Sequence, residues 1–194
     1  MGKHGSTRLR LHRQGGFAMS IHHAILGLLS WKPVTGYELK KIFEESDFMH
    51  WSGNNNQIYK PLLGLQEQGL AICETVHQDG APSKKIYSIT EAGRTALRTW
   101  ILSTPEPMDV RKTFLIQLSW ADQLDGGELD RLLQAYEDEI LMQIAMHKEK
   151  GRRGLGGPNR TPRETLIWDS IHDNILGSWE HELGWVRQLR SALQ

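Results

Sequence analysis

Residues 53–65 carry side chains that could read the edges of DNA base pairs. The stretch contains no acidic residue, and its polar members are Asn54, Asn55, Asn56, Gln57 and Lys60. An Asn or Gln amide can pair with adenine through two hydrogen bonds, and Lys can reach guanine or a phosphate. A carboxylate would repel the phosphates, so the lack of acids favours a surface that faces DNA. The simpler alternative is a loop, in which runs of asparagine are common.

Lysines outside this stretch could hold the phosphate backbone. Lys84 and Lys85 follow a turn-rich segment, and Lys40, next to Lys41, falls on a predicted helix. Lysines that neutralise phosphates supply the salt-dependent part of the affinity for DNA. The alternative for each of them is a surface lysine that only keeps the protein in solution.

Three helices are predicted ahead of the lysine pair from the spacing of apolar residues. The first follows Ser20, a plausible N-cap. The second spans residues 35–45 and is capped by Thr35. The third begins at the cap Asn54 and ends at Gly69, a residue type that favours the C-terminus of a helix.

A β-hairpin and a fourth helix complete the N-terminal part. Residues 70–77 and 85–89 have strand-like patterns around a tip at 78–83, and Thr90 is a candidate cap for the next helix. The order helix, helix, helix, hairpin, helix predicts a winged helix-turn-helix domain over residues 19–104. Such a domain places a recognition helix in the major groove.

Net charge does not by itself support DNA binding, because 23 basic and 23 acidic residues cancel. Residues 1–18 contain four basic and no acidic residues, and we expect them to form a disordered basic extension. An arm that touches phosphate or a minor groove is the alternative. No apolar run is long enough to cross a membrane, and the single Cys73 fits a reducing compartment. These features predict a cytoplasmic location.

The pattern of residues 105–194 predicts helices and no strands. The predicted helices span residues 109–121, 125–150 and 162–193, with a break at 151–160. Their apolar stripes are too long to be covered within one short chain segment. A second copy would cover them, as in helical dimer interfaces; a purely intramolecular bundle is the alternative. The predicted fold class is therefore mainly α with a small β-hairpin, with a C-terminal helical dimerisation and effector domain.

Tryptophans of the C-terminal helices are candidates for binding an effector. The side chains concerned are Trp120, Trp168 and Trp179. Indole rings form flat apolar walls that stack on planar ligands, so a small aromatic compound is the expected class. Packing at an interface is the alternative for each tryptophan.

No motif predicts a metal, a cofactor or catalysis. Asp169, His172, Asp173 and His181 could offer oxygen and nitrogen ligands across a dimer, but surface histidines are far commoner. The glycine-rich residues 151–158 have no preceding strand and no Gly-Lys-Ser/Thr ending, so they do not form a phosphate-binding loop. No nucleophile has a base at a recognisable spacing, and we expect no enzymatic activity.

Several strings resemble the PadR family of bacterial transcriptional regulators. They occur in order at residues 24–29 (Ala-Ile-Leu-Gly-Leu-Leu), 35–39 (Thr-Gly-Tyr-Glu-Leu), 58–70 and 89–93 (Ile-Thr-Glu-Ala-Gly). The resemblance implies a homodimer joined by its C-terminal helices, with two winged domains that read a pseudo-palindromic operator. It also implies a repressor that responds to small molecules, often aromatic ones.

The resemblance carries over to three residues near the recognition helix. Tyr59 matches the family tyrosine that commonly meets the DNA backbone, and Tyr37 matches a mainly structural tyrosine of the second helix. Many relatives place proline directly after the first of these tyrosines, whereas here Lys60 intervenes before Pro61. With Asn54 as the cap, this proline lies beyond the first turn, where it removes a backbone hydrogen bond and can kink the helix.

The sequence therefore predicts a dimeric DNA-binding transcriptional repressor of the PadR type. The alternative is a protein-interaction module that uses the winged fold without DNA.

Overall fold

The computed structural model describes residues 16–46, 49, 56–78, 81–105, 112–153 and 160–193. The chain divides into two compact units, Met1–Pro105 and Glu106–Gln194, called here the N-terminal and C-terminal units. Within the described ranges the protein has seven α-helices and one small three-stranded antiparallel sheet. The expected fold class, mainly helical with a small β element, is confirmed. No helix in those ranges is both long and apolar enough to cross a membrane.

Helix α1, Gly16–Trp31, begins earlier than its sequence predicts. Ser20 lies inside the helix instead of capping it, and residues 16–18 are helical instead of disordered. Ala and Met are good helix formers, so a helix nucleated by the apolar face extends through them. Residues 1–15, which make up most of the expected basic extension, lie outside the described residues.

Helix α2, Gly36–Glu45, begins where its sequence predicts, at a capping box. The Glu38 N–H donates to the Thr35 hydroxyl at 3.2 Å, and the Thr35 N–H donates back to the Glu38 carboxylate at 2.7 Å. These bonds satisfy backbone donors that the first turn of a helix leaves free. Thr35 also belongs to the short strand β1, Val34–Thr35, so the start of α2 is fixed on the sheet.

Helix α3, Asn56–Glu67, is the predicted recognition helix and continues through Pro61. Gly69 follows it with φ of 69°, a conformation that glycine adopts without steric cost. The Gly69 N–H donates to Gln66 and the Leu70 N–H to Leu65, at 3.0 and 2.9 Å, which is the Schellman arrangement. The predicted C-cap is confirmed; the predicted cap Asn54 lies outside the described residues.

The sheet has the order β1-β3-β2 and is larger than the predicted hairpin. Strand β2 spans Ala71–Gln78 and β3 spans Ala81–Ile89. The predicted tip at 78–83 was too wide, since Gln78 already pairs with Ala81. Strand β1 pairs with β3 through Thr35 and Ile86; with two residues it is too short to show a period of two in the sequence.

Helix α4, Glu91–Ile101, is capped by the Thr90 hydroxyl as its sequence predicts. A methyl group on Gly93 of this helix would overlap the carbonyl oxygen of Leu70, so the helix packs closely on the start of β2. The helices and the sheet enclose one apolar core. Its fully buried larger side chains are Ile25, Leu26, Leu29, Val34, Leu39, Phe43, Leu62 and Leu65.

The C-terminal unit contains helices α5, Thr113–Ser119, α6, Gly126–Arg153, and α7, Pro162–Ala192. Helix α5 is shorter than the predicted segment 109–121, because Lys112 is extended and residues 121–123 form a 3-10 turn. Helix α6 continues through Gly151, where a break was expected. A lone glycine costs only about 1 kcal/mol in a helix, and His172 packs directly against it.

Helices α6 and α7 pack together around a small core that mixes apolar and ionic contacts. Its buried hydrophobic residues are Phe114, Leu133, Ile140, Ile144 and Val186. Buried Glu137 accepts a 2.6 Å hydrogen bond from Arg187. Glu182 accepts from Lys112 at 2.7 Å and from the Tyr136 hydroxyl at 2.8 Å. Burial raises the pKa of the Glu182 carboxyl, but these two bonds, together with the electrostatic influence of Lys112 and His181, lower it by more.

Candidate nucleic-acid interface

A groove of about 610 Å³ opens in the N-terminal unit where α2, α3 and β3 meet. The N-terminus of α2 and strand β3 form its walls, and α3 contributes one aromatic side chain. We call this site the wing groove; it is lined by Thr35, Gly36, Tyr37, Glu38, Tyr59, Ser83, Lys84, Lys85 and Tyr87.

Three of the residues predicted to bind DNA meet in the wing groove. Tyr59 reaches it from α3, while Lys84 and Lys85 reach it from β3, and both lysines are exposed. Gln57 and Lys60 are exposed on α3 outside this lining. The groove therefore brings the phenol of Tyr59 together with two lysine positions of β3 that are far from it in sequence.

The other predicted contacts are placed elsewhere or are not described. Lys40 lies on α2 with its Nζ 3.7 Å from Glu44 Oε1, and its side chain is 30% exposed. Asn54 and Asn55 lie outside the described residues, and Asn56 is described only as the first backbone position of α3. A cation paired with a carboxylate on its own helix is less available to a phosphate, so the groove lysines are the better candidates.

Tyr37 does not have the structural role that the resemblance implied. Its side chain is 72% exposed and lines the wing groove. It lies two residues before Leu39, which is fully buried, and two helical residues differ in direction by about 200°. Because the core-facing side of α2 includes Leu39, Tyr37 faces outward.

Glu38 places a carboxylate in the wing groove that the DNA-binding prediction did not consider. The Thr35 backbone N–H and then the Thr35 hydroxyl hold the pKa of Glu38 below its ordinary value, with smaller contributions from Lys32 and Lys84. The carboxylate is thus ionised at neutral pH, and among the lining residues it offsets part of the positive charge of the two lysines. The Thr-x-x-Glu spacing is the signal that could have located it.

Tyr87 forms the buried part of the wing groove. Burial raises the pKa of its phenol, and Cys73, which faces it across the strand pair, adds to the rise. The ring is therefore neutral at neutral pH, and it contributes an apolar surface next to Tyr59. The groove combines aromatic surface with positive charge, which suits a sugar-phosphate backbone.

The predicted effector tryptophans do not come together within the C-terminal unit. Trp120 follows α5 and is 68% exposed, whereas Trp168 is covered by the Arg160 guanidinium at 4.4 Å. Trp179 packs against the apolar core. Trp168 and Trp179 lie on one helix and are about 16 Å apart along its axis, which is too far to line one pocket for a single small ring.

No cluster of three or more His, Cys, Asp or Glu side chains suited to a metal ion occurs among the described residues. His172 instead stacks on His147, with ring centroids 4.1 Å apart, and its carbonyl oxygen lies 3.0 Å from the Nε2 of His147. His172 thus packs at the contact between α6 and α7.

Comparison with known proteins assigns the chain to a family. The transcriptional regulator PadR-like family matches residues 25–99, which include the helix-turn-helix and the wing. The probable transcriptional regulator Rv1176c of Mycobacterium tuberculosis is 36% identical over 186 residues, covering 91% of this chain and 98% of that protein. The chain belongs to the PadR-like family. As a PadR-like protein it is a transcriptional regulator and not an enzyme.

A second relative links this PadR-like chain to solved structures. The negative transcriptional regulator PadR of Bacillus subtilis is 30% identical over 115 residues, covering 59% of this chain and 63% of that protein. Its structure in complex with operator DNA superimposes with a TM-score of 0.78 at 22% identity, covering 90% of this chain and 99% of that one. Its complex with p-coumaric acid gives a TM-score of 0.74 at 21% identity, covering 89% and 98%. These likenesses establish the winged-helix fold.

Proposed function

We propose that the protein is a dimeric repressor that binds a pseudo-palindromic operator through α3 and the wing groove. The observation that carries the proposal is the meeting of Tyr59, Lys84 and Lys85 in one groove beside the exposed face of α3. A recognition helix inserted in the major groove brings adjacent elements against the flanking phosphates. In this proposal the wing groove receives that run of phosphates.

Base reading is assigned to the exposed face of α3. Gln57 and Lys60 project from the first turns of this helix, and their amide and ammonium groups suit adenine and guanine edges. Within α3 the sole acid is Glu67, at its last position. The first two turns can therefore approach DNA without repulsion from a carboxylate on the same helix.

Dimerisation is assigned to the C-terminal unit. Helices α6 and α7, of 28 and 31 residues, share only five buried hydrophobic residues with α5 in the described ranges. Exposed large apolar side chains remain, namely Leu115, Ile116, Leu141, Met142, Met146, Leu166 and Ile167. So much exposed apolar surface on helices is typical of an interface. A second copy of the chain would cover it.

An aromatic effector completes the proposal. The neighbour from Bacillus subtilis has been solved with p-coumaric acid, and this chain exposes Trp120 while Arg160 covers Trp168. A ligand that binds one arrangement of the two protomers better would shift the population of DNA-binding dimers. Titration with p-coumaric acid should change tryptophan fluorescence and lower operator affinity; no change in either would refute this part.

Fluorescence anisotropy with the protein's own upstream region tests DNA binding. We expect salt-sensitive binding by the wild type, loss of binding by a Lys84→Glu/Lys85→Glu variant, and retention by Lys148→Ala, whose ammonium pairs with Glu180 at 3.1 Å in the C-terminal unit. No binding to any upstream fragment at low salt would instead favour a protein-interaction module. A reporter gene behind the bound fragment distinguishes repression from activation.

A further inference from the structure

The start of α2 makes an unusually close approach to the recognition helix. A methyl group on Gly36 would lie 2.5 Å from Cε1 of Tyr59, 3.0 Å from its Cζ and 3.1 Å from its phenol oxygen. All three atoms belong to the polar end of the ring. The hydroxyl end of Tyr59 therefore rests directly on the bare backbone of Gly36, which is buried.

The backbone conformation does not explain this glycine. Among the described residues, Gly69 alone has a positive φ. The backbone conformation of Gly36 is therefore one that residues with side chains also adopt. It is also the first residue of a helix, and alanine has a higher helix propensity than glycine. The structure instead shows that position 36 must leave space for the Tyr59 ring.

Gly36 has little freedom to move away from the ring. The preceding Thr35 pairs with Ile86 across the sheet, and Glu38 closes the capping box on Thr35. Since both anchors hold the start of α2, an added methyl group must displace the tyrosine ring instead. Tyr59 is 39% exposed, so its ring has open space into which it can turn.

We propose that Gly36 is a positioning residue that sets the phenol of Tyr59 in the wing groove, where this hydroxyl meets a DNA phosphate. The inference rests on the proposed DNA-binding function and extends it to a residue that need not touch DNA. A side chain at position 36 turns the phenol out of line with Lys84 and Lys85 on the opposite wall. Gly36 thus determines how well the groove holds the backbone, independently of base reading by α3.

Binding measurements on the full chain form the first test. A hydrogen bond to a charged group is worth about a tenfold change in affinity or more. Because the proposed dimer makes this contact twice, we expect Gly36→Ala and Tyr59→Phe each to weaken operator binding about a hundredfold, and to weaken binding to unrelated duplex by a similar factor. Gly27→Ala is the matched control, because a methyl group there meets nothing within 4 Å, and it should bind as the wild type does.

A double-mutant cycle separates positioning from a general effect on α2. In a Tyr59→Ala background the methyl group of Gly36→Ala no longer meets the ring, so this second substitution should add no further loss. If it costs the same factor in both backgrounds, Gly36 does not act through Tyr59 and the inference is wrong. The double variant also restores space, so it should fold even where Gly36→Ala alone does not.

A spectroscopic test needs no DNA. The chain has four tyrosines, so fluorotyrosine labelling gives a fluorine spectrum that Tyr→Phe variants can assign. Gly36→Ala should move the Tyr59 resonance, whereas Gly27→Ala should leave it in place. An unmoved Tyr59 resonance overturns the positioning role. If Gly36→Ala moves the Tyr59 resonance but the wild type binds no DNA, the proposed function is refuted while the contact between Gly36 and Tyr59 stands.

Discussion

Neutralising the two groove lysines should change how DNA affinity depends on salt. Lys84 and Lys85 both line the wing groove, and the proposed dimer would present two such grooves. Each neutralised phosphate contributes about 0.9 to the slope of log affinity against log salt concentration. A single Lys→Ala change removes two contacts per dimer and should reduce the slope by about 1.8, and the double change by about 3.6.

The size of this effect makes the test decisive. Between about 50 and about 200 mM salt, the ratio of wild-type to variant affinity should shrink about 12-fold for a single variant and about 150-fold for the double variant. Anisotropy titrations at four or more salt concentrations give the slopes, with Lys148→Ala as the control that should leave the slope unchanged. A folded double variant whose slope equals that of the wild type would refute the assignment of these lysines to phosphates.

Three further predictions concern stability, each measured as a free energy of unfolding from urea titration. Pro61→Ala restores an N–H opposite the Gln57 carbonyl in α3 and should stabilise the protein by about 1–3 kcal/mol; a lower midpoint would contradict this. Gly93→Ala pushes a methyl group against the Leu70 carbonyl and should cost about 1–3 kcal/mol, so an unchanged midpoint would count against the close packing. Because the folded pKa of Glu182 is lowered, its contribution is complete above the ordinary glutamate pKa of about 4.3 and is lost as pH falls through the lower folded value. As pH falls through that range, Glu182→Gln should therefore lose less free energy of unfolding than the wild type. Equal losses in the two proteins would show that the Glu182 carboxylate does not stabilise the fold.

Local signals in the sequence were sufficient for much of the fold. The caps Thr35 and Thr90 and the C-cap Gly69 were predicted from residue type and position, and each makes the expected bonds or has the expected φ. These features depend on neighbours within a few residues, which a sequence displays directly. The predicted cap Ser20 was wrong because good helix formers carry α1 further back, and the break expected from Gly151 began too early because α6 continues to Arg153.

The candidate site was only partly accessible to sequence reasoning. Residue type and the family resemblance predict Tyr59, Lys84 and Lys85 as members of the site. Gly36 and Glu38 were not recognised as parts of the same groove. Their place there depends on the pairing of β1 with β3, which joins residues about fifty positions apart and leaves no periodic pattern in two residues.

The sequence by itself determined the order of the elements, most of their ends and the family, because apolar spacing and capping residues act over one or two helical turns. The tertiary structure alone decided which side chains share the wing groove, that Tyr37 faces outward, and that Trp168 and Trp179 lie apart on α7. Close approaches such as that of Gly36 to Tyr59 arise when separate elements pack on one core. Their geometry is a property of the packed domain and not of any local segment.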